Sequence, residues 1–586
     1  MKILLTAINA KYIHSNLAVY SLKAYAKDPG VEIAEYTINQ TVDSILGSLY
    51  ERRPDILCFS CYVWNLDYVE SLAREFAKIC PETEIWLGGP EVSYDAGEVL
   101  RRLPKVRGVM KGEGEATFAG LCRAYRKGED KGPEALMTRE RELSGLQGIT
   151  YRTMEGEIRE NPWREPLDLS EIPFVYEEME LPAHKILYYE SSRGCPFACS
   201  YCLSSIDKKL RFRDLDLVKK ELQFFIDREV PQVKFVDRTF NCSHSHALAV
   251  WKYIMEHDRG KTNFHFEIAA DLLNEEELAL ISHMRPGLIQ LEIGVQTVNP
   301  DTIREIRRKM DLEKVERAVE RIRKGRNIHQ HLDLIAGLPM EDLESFRRSF
   351  DRVYRMKPDQ LQLGFLKVLK GSYMKEMEQE YELQHTERPP YEVLSTRWLS
   401  YADILLLKGV EDMVENYYNS GQFSHTLEAL SARYDSPFRM FEELWEYYRG
   451  RGLDQVQHKR SARYEILLEF AAGKLPEEKE YFRELLTFDY YLRENAKTRP
   501  EFAGDYQVDK DTLRVFYEWE ARTGTYLPDY RGYDKNQIRR MTHLEYFHWR
   551  NQYVLFDYFV KNPLNHEARI CKIDMCCLEG EEHEFS

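Results

Sequence analysis

The sequence predicts an α/β protein in three parts: a doubly wound parallel sheet, an incomplete parallel barrel and a mainly helical C-terminal region. Short β-rich runs alternate with amphipathic stretches through two successive segments, each with its own beat, and this carries the first two parts. Beyond about residue 380 the alternation gives way to helical periodicity rich in Tyr, Trp and Glu, which carries the third. Length agrees, because 586 residues exceed what a single core serves and call for roughly two to four domains.

In the first segment, residues 1–127, strands are predicted at 2–10, 31–39, 55–63, 83–87 and 106–111. Helical patterns at 16–26 and 66–79 lie between them. This is a flavodoxin-like order of elements, in which ligands sit beyond the carboxyl ends of the strands. The loops to inspect are therefore 9–16, 60–65, 88–93 and 112–115. Residues 128–185 form a connector. Within it Gly148-Ile149-Thr150-Tyr151-Arg152, Glu155-Gly156-Glu157 and Ile158 predict a hairpin, and the proline-punctuated stretch 166–173 is extended.

From 186 to 376 strands are predicted at 186–191, 233–236, 264–269, 288–293, 329–335 and 360–366. Helices at 217–228, 275–283, 300–309 and 312–324 separate them, which suits a partial (β/α)6 barrel with its site at the strands' C-terminal ends. Residues 377–586 complete the chain as the helical domain, without an internal repeat or low-complexity tract.

Composition removes several classes. The chain is 43% hydrophobic and 31% charged, an ordinary globular balance. Its net charge of −16 argues against indiscriminate coating of nucleic acid, though not against a local basic groove. Apolar runs such as Ile404-Leu405-Leu406-Leu407 fall far short of the ~20 residues of a spanning helix. Met1-Lys2-Ile3-Leu4-Leu5 leads into Asn9 and Lys11 and suits a buried strand better than a signal peptide. Eleven cysteines, an odd number spread over a long chain, point to a reducing compartment, and a cytoplasmic location is expected.

The strongest local signal is Arg193-Gly194-Cys195-Pro196-Phe197-Ala198-Cys199-Ser200-Tyr201-Cys202, directly after a predicted strand. Thiolates are soft ligands suited to iron–sulfur clusters. Three on one loop hold three irons of a four-iron cluster and leave one iron open to a ligand. Zinc is the competing metal, but structural zinc takes four protein ligands, and no second Cys or His pair follows nearby.

This segment resembles the radical SAM superfamily, whose signature is Cys-x-x-x-Cys-x-x-Cys with an aromatic before the last cysteine, here Tyr201. The resemblance covers about 186–375. Phe235-Val236-Asp237-Arg238-Thr239-Phe240, Leu291-Glu292-Ile293-Gly294-Val295-Gln296-Thr297 and Leu334-Ile335-Ala336-Gly337-Leu338-Pro339 look like the family's later strand-end motifs. It implies a 4Fe-4S cluster on Cys195, Cys199 and Cys202. It also implies S-adenosyl-L-methionine (SAM) bound by Tyr201, Asp237, Glu292, Gln296 and Gly337. The implied chemistry is reductive cleavage of SAM to methionine and a 5′-deoxyadenosyl radical. A reductase, flavodoxin or ferredoxin is implied as electron donor.

The N-terminal segment has Asn9-Ala10-Lys11-Tyr12 where a nucleotide fold would show a Gly-rich phosphate loop, and no acids of a receiver site. Instead it carries Ser60-Cys61-Tyr62-Val63-Trp64-Asn65, Gly88-Gly89-Pro90-Glu91-Val92-Ser93 and Gly112-Glu113-Gly114-Glu115. Together with the downstream cysteines these resemble the cobalamin-binding domain of cobalamin-dependent radical SAM enzymes. The resemblance implies cobalamin contacts from Ser60, Tyr62, Trp64, Asn65, Gly88, Gly89, Pro90, Glu91, Gly112 and Glu113. Its Asp-x-His-x-x-Gly motif is absent, and His14 does not have that spacing, so no histidine is expected on cobalt. An empty, degenerate domain is the alternative.

Residues 377–586 resemble the C-terminal domain that accompanies this subgroup. Tyr391-Glu392-Val393-Leu394 and Phe488-Asp489-Tyr490-Tyr491 fit core packing at helical spacing. Cys571, Cys576 and Cys577 match no metal pattern and are expected as free thiols. The basic stretch 451–463, and Arg539 and Arg540 with His543, are expected as solvated faces. The family implies methylation of an unactivated carbon in a small molecule or tRNA. Rearrangement, cyclisation or methylthio-type modification with the same cofactors is the rival, and a non-catalytic cobalamin or iron–sulfur sensor the distant one. Methyl transfer between the two cofactors requires loops 60–65 and 88–93 to face the cysteine loop across one cavity.

Overall fold

A computed structural model of the chain describes residues 1–574, except 129–131, 178, 182–183 and 506–507. Cys576 and Cys577 lie outside the described residues. The chain forms two compact units. One comprises Met1–Ile328, Ile335–Leu343 and Gly364–Tyr401; the other comprises His329–Leu334, Glu344–Leu363 and the chain from Ala402 onward.

The first unit begins with β1 (Ile3–Asn9), β2 (Val31–Thr37), β3 (Ile56–Ser60), β4 (Glu84–Gly88) and β5 (Val106–Met110). They form a parallel sheet in the order β2-β1-β3-β4-β5, with Ile3 opposite both Val31 and Ile56. β1 is buried at all seven positions, as a strand covered on both faces must be. The helix Leu66–Ile79 packs against this sheet through Val69, Leu72, Ala73 and Phe76, the spacing of one helical face.

The predicted hairpin is present as β6 (Ile149–Arg152) and β7 (Ile158–Glu160), but it is no mere connector. β6 adds antiparallel to β5 and β7 to β6, making seven strands. Ile149 and Tyr151 are fully buried there, so the hairpin covers an edge that β5 would otherwise leave open.

Next come β8 (Leu187–Tyr189), β9 (Ser192–Arg193), β10 (Arg211–Phe212), β11 (Gln232–Phe235), β12 (Asn263–Ile268) and β13 (Ile289–Gln296). β8, β11, β12 and β13 are parallel neighbours, while β9 and β10 pair antiparallel at the feet of the cysteine loop. Burial along β13 alternates strictly, placing Gln290, Glu292, Gly294 and Gln296 on the less buried face. Helices between the strands start at capped positions. Asp214 accepts from the amides of Asp216 and Leu217, and Asn274 forms a capping box with Glu277. The helix predicted over 300–309 ends at Glu305, and residues 306–309 turn toward the cysteine loop.

β14 (His329–Ala336) and β15 (Gln360–Phe365) are each divided between the two units. Of residues 391–394, expected at helical spacing, Val393 and Leu394 belong instead to the short antiparallel pair β16 (Gln384–His385) and β17 (Val393–Ser395). The Val393 amide donates to the Leu366 carbonyl at 2.9 Å, which ties this extended segment to the end of β15. The C-terminal region is helical from Tyr401 to Met541, with a π-helical turn at Val414–Asn419. It then departs from expectation with an antiparallel sheet of β18 (Thr542–Phe547), β19 (Gln552–Lys561) and β20 (Ala568–Ile573). Phe488 and Tyr491 pack on Phe547, Val554 and Phe556 of that sheet, as core residues. Cys571 sits half-buried on β20, its thiol 3.8 Å from the Tyr526 carbonyl.

Candidate functional site

The cysteine loop leaves β9 through Gly194, at φ 91°, where an added Cβ would lie 2.6 Å from the Lys209 carbonyl oxygen. Only glycine lets the loop close this tightly. Cys195 and Cys199 are buried and Cys202 half-buried. The Cys195 amide donates to the Asp207 carbonyl at 3.1 Å, and the Cys202 amide donates to the Cys199 carbonyl at 3.2 Å. The Cys195 sulfur stands 3.7 Å from the Thr239 hydroxyl. Arg308 brings Nη1 to 3.8 Å from the Cys199 sulfur and 3.2 Å from the Tyr201 hydroxyl, and Nη2 donates to the Gly294 carbonyl. Burial raises the Cys199 thiol's pKa, and Cys202 and Cys195 raise it further, while Arg308 opposes them. The three sulfurs thus lie within electrostatic reach of one another on a short loop. That donor set fits an iron–sulfur cluster with one iron left open. Nε of Arg308 is buried without a partner beside it, a spare donor suited to an anionic ligand group.

Above the loop lies a cavity of about 450 Å3, within the ordinary range for a ligand site. Its deep end is an apolar slot in the first sheet, formed by Leu5, Cys58, Phe59 and, from the helix Leu17–Ala26, Ala18, Val19 and Leu22. Its rim is Ser60, Tyr62, Gly88, Gly89, Pro90, Gly112 and Glu113, at the carboxyl ends of β3, β4 and β5. Its opposite wall is Glu190, Ser192, Arg193, Gly194, Val236 and Arg238. Gly89 is at φ 117°, where a Cβ would come within 2.5 Å of the Cys61 carbonyl oxygen, so this turn of the rim packs on Cys61 with no side chain between them. Ser60 Oγ is buried there with no hydrogen-bond partner. A glycine rim, an orphan hydroxyl and an apolar slot behind it fit a bulky ring with a planar tail, as cobalamin is.

Several residues expected at the cobalamin face are committed elsewhere. Asn65 is fully buried and binds inward, donating to the carbonyls of Ile8 and Ser60 and accepting from the Tyr62 amide. Trp64 donates Nε1 to the Ile8 carbonyl and stacks behind the rim residue Tyr62 at 4.4 Å without itself lining the cavity. Glu91 accepts from the Tyr391 hydroxyl at 2.5 Å and pairs with Lys370 at 3.5 Å. Burial raises its pKa against both partners. Glu113 reaches the rim, but its carboxylate is taken by Arg211, Arg193 and the Leu167 amide. Burial alone would raise its pKa, yet the two guanidiniums hold it low. His14 does not line the cavity. Its ring meets the Tyr188 hydroxyl at 2.7 Å, and burial, then Lys11 and Lys234, lower its pKa.

Of the residues expected at SAM, Tyr201 lies in the cysteine loop beside Arg308. Asp237 is fully enclosed and its carboxylate is saturated by Ser191 and Ser192, so it braces strand ends rather than presenting an acid to a ligand. Glu292 is 3.0 Å from both Lys234 and His265. Gln296 has a left-handed backbone, φ 70°, with its Oε1 buried and unpartnered, and Gly337 sits at φ 92°. Arg308, Thr239 and the Arg193 ion pairs were missed by motif reasoning. The signal available was thin: a basic run at 307–309 inside a predicted helix.

Three family models cover most of the chain. The B12 binding domain matches residues 3–122, the Radical SAM superfamily matches 189–353, and a family described as protein of unknown function, DUF4080, matches 379–561. The chain therefore carries a radical SAM core with a B12-binding domain ahead of it. Among named relatives, it is 25% identical over 319 residues to the cobalamin-dependent radical SAM methyltransferase TokK of Streptomyces tokunonensis, covering 50% of this chain and 44% of that protein. It is 21% identical over 348 residues to the anaerobic magnesium-protoporphyrin IX monomethyl ester cyclase of Rubrivivax gelatinosus, covering 58% of this chain and 61% of that one. The chain thus spans roughly half the length of these curated relatives. In structure it is similar to the cobalamin-dependent S-adenosylmethionine radical enzyme OxsB, solved with aqua-cobalamin and S-adenosylmethionine bound. That match has a TM-score of 0.55 at 15% identity and covers 83% of this chain and 79% of that one, a likeness of fold.

Proposed function

We propose that the chain is a cobalamin-dependent radical SAM enzyme that methylates an unactivated carbon. Its cofactors are a 4Fe-4S cluster, SAM and cobalamin, in keeping with the radical SAM and B12-binding domains. When bound, they supply reductive cleavage of SAM to a hydrogen-abstracting radical and a methyl group carried on cobalt. The observation that carries the reading is the single cavity bounded by the B12-binding rim on one side and by Arg193 and Gly194 of the cysteine loop on the other. Near-attack geometry needs reacting groups roughly 3–3.5 Å apart, so one enclosed space for both is a requirement of methyl transfer. In this scheme Cys195, Cys199 and Cys202 hold the cluster. Arg308 binds an anionic group beside it, and the Leu5–Phe59 slot takes the planar tail. Gly88 and Gly89 let a corrin approach backbone. An electron donor of the flavodoxin, ferredoxin or reductase type completes the system, and a cytoplasmic setting suits it. No helix among the described residues is long and apolar enough to cross a membrane. The likeness to the ester cyclase keeps cyclisation as a second outcome with the same cofactors.

The test is anaerobic reconstitution of the full chain with iron, sulfide and hydroxocobalamin, followed by reduction with SAM. The expected result is one four-iron cluster, bound cobalamin whose Co(II) EPR lacks nitrogen splitting, and release of 5′-deoxyadenosine. Label from methyl-labelled SAM should appear in a small-molecule or tRNA fraction; label recovered only in methionine, with a new ring in the product, would favour cyclisation. The variant with Cys195, Cys199 and Cys202 all changed to Ala should lose its iron and sulfide. Retention of both by that variant overturns the assignment of the cluster.

A further inference from the structure

We propose that Arg193 is a positioning residue through which cobalamin binding and cluster incorporation strengthen each other; this rests on the cofactors assigned above. Arg193 ends β9 and is followed by Gly194 and Cys195, so it forms one foot of the cysteine loop. Its guanidinium reaches three carboxylates. Glu190 accepts at 2.7 Å, Glu115 at 2.9 Å, and Glu113 stands at 3.3 Å. The other foot is held from the same place. Arg211 on β10 binds Glu113 through both terminal nitrogens and Asp207 at 2.8 Å. The Asp207 carbonyl in turn accepts the Cys195 amide.

These links close a ring: Glu113 to Arg193, along the chain to Cys195, across to Asp207, on to Arg211, and back to Glu113. Glu113 lies in the loop after β5 and Glu115 opens the helix Glu115–Lys127 that follows it; Gly112 and Gly114 of this loop line the cavity on the B12-binding side. One short loop therefore touches the cavity with its glycines and clamps both feet of the cysteine loop with its acids. Arg193 and Arg211 are largely shielded, with side chains 19% and 10% exposed. Shielded ion networks contribute little net stability but are costly to leave half made. A ligand seated against Gly112 and Gly114 fixes Glu113 and Glu115, and a cluster on the cysteines fixes Arg193 and Asp207. Whichever is bound first leaves less of the ring to be ordered by the second, and such coupling is necessarily reciprocal.

A network serving stability alone makes a different prediction: weakening it lowers the melting temperature but leaves the two affinities independent. The experiment measures hydroxocobalamin affinity by absorbance for the cluster-loaded full chain and for the variant with all three cysteines changed to Ala. The loaded protein should bind about 10-fold more tightly, inside the usual 5–150-fold range of coupling between sites. In Arg193→Lys, which keeps the charge but not the fork, and in Glu113→Gln, that ratio should fall below about 2-fold. The reciprocal reading guards against a poorly folded variant. In the parent, hydroxocobalamin should shift the equilibrium partition of iron between the protein and a competing chelator by a similar factor, and in Glu115→Gln it should do so less. A parent ratio near one, or an undiminished ratio in both Arg193→Lys and Glu113→Gln, overturns the proposal while leaving the enzyme reading intact. Failure of the parent to bind hydroxocobalamin overturns both.

Discussion

The two sheets of the first unit treat their side chains in opposite ways. β1 is buried at every residue, because helices cover both faces of the N-terminal sheet. β13 alternates buried and half-buried along its whole length, because one face packs beneath helices while the other bears Gln290, Glu292, Gly294 and Gln296. A sheet covered on both faces has room for a ligand only at its strand ends, and there the glycine rim and Ser60 are found. A sheet with one polar face carries function along the strands themselves. Lys234, His265 and Glu292 form an ion-paired group on adjacent strands β11, β12 and β13. The first sheet is therefore intolerant of volume change and the second intolerant of charge change.

The sharpest way to break that contrast is truncation. Leu57, fully buried on β3, belongs to the core cluster of the first sheet. Leu57→Ala is expected to cost about 2–5 kcal/mol by loss of burial and creation of a cavity. Gln290 on β13 is half-buried and makes no side-chain hydrogen bond among the described residues. Gln290→Ala should stay within about 0.5 kcal/mol. Urea unfolding of the two variants checks both values, and equal costs would erase the distinction.

A smaller effect is expected at the rim. Gly89 combines φ 117° with a Cβ position 2.5 Å from the Cys61 carbonyl oxygen. Gly89→Ala should cost about 1–3 kcal/mol in backbone strain. It should also weaken hydroxocobalamin binding at least about 10-fold, because the backbone at the rim must shift. Normal cobalamin affinity in a destabilised Gly89→Ala would mean the strain is absorbed away from the ligand.

How far the sequence reached follows from the same contrast. The parallel sheet was legible because its strands are short apolar runs between helical stretches, and the cysteine loop because three thiols at that spacing suit an iron–sulfur cluster and little else. The hairpin was legible as a hairpin, but its membership of the first sheet was not, since pairing to β5 is a long-range choice. The sheet at the C-terminal end was hidden, because β18 and β19 mix His, Glu, Tyr and Phe without a clean period. Within the site, motif positions located loops correctly but not the direction of each side chain. Asn65, Glu91 and Asp237 stand in motifs, yet each is turned inward to satisfy buried groups. Arg308 escaped notice because it lies 109 residues from the sulfur it approaches.

The finest discrimination concerns two carboxylates of the second sheet and its strand ends, Glu292 on β13 and Asp237 just beyond β11, that burial treats alike and partners treat differently. At Glu292, burial favours the neutral acid, but the His265 hydrogen bond and the Lys234 charge overcome it and hold the pKa at about 2. At Asp237, burial dominates the hydrogen bonds from Ser192 and Ser191, and the pKa rises to about 6. The signs follow from linkage. Glu292, depressed from 4.5, contributes stability that is complete above pH 4.5 and is lost as pH falls toward 2. Asp237, raised from 3.8, contributes stability that is complete below pH 3.8 and is lost as pH rises toward 6. Each amounts to something on the order of 3 kcal/mol across its full window. Denaturant midpoints of the parent, Glu292→Gln and Asp237→Asn, taken from pH 3 to pH 7, should separate the two. The parent's margin over Glu292→Gln should shrink toward acid pH, and its margin over Asp237→Asn should shrink between pH 4 and 6 as the medium turns neutral. Margins that move in the same direction would mean that Lys234 and His265 do not set the charge of Glu292, and the polar face of the second sheet would lose its electrostatic meaning.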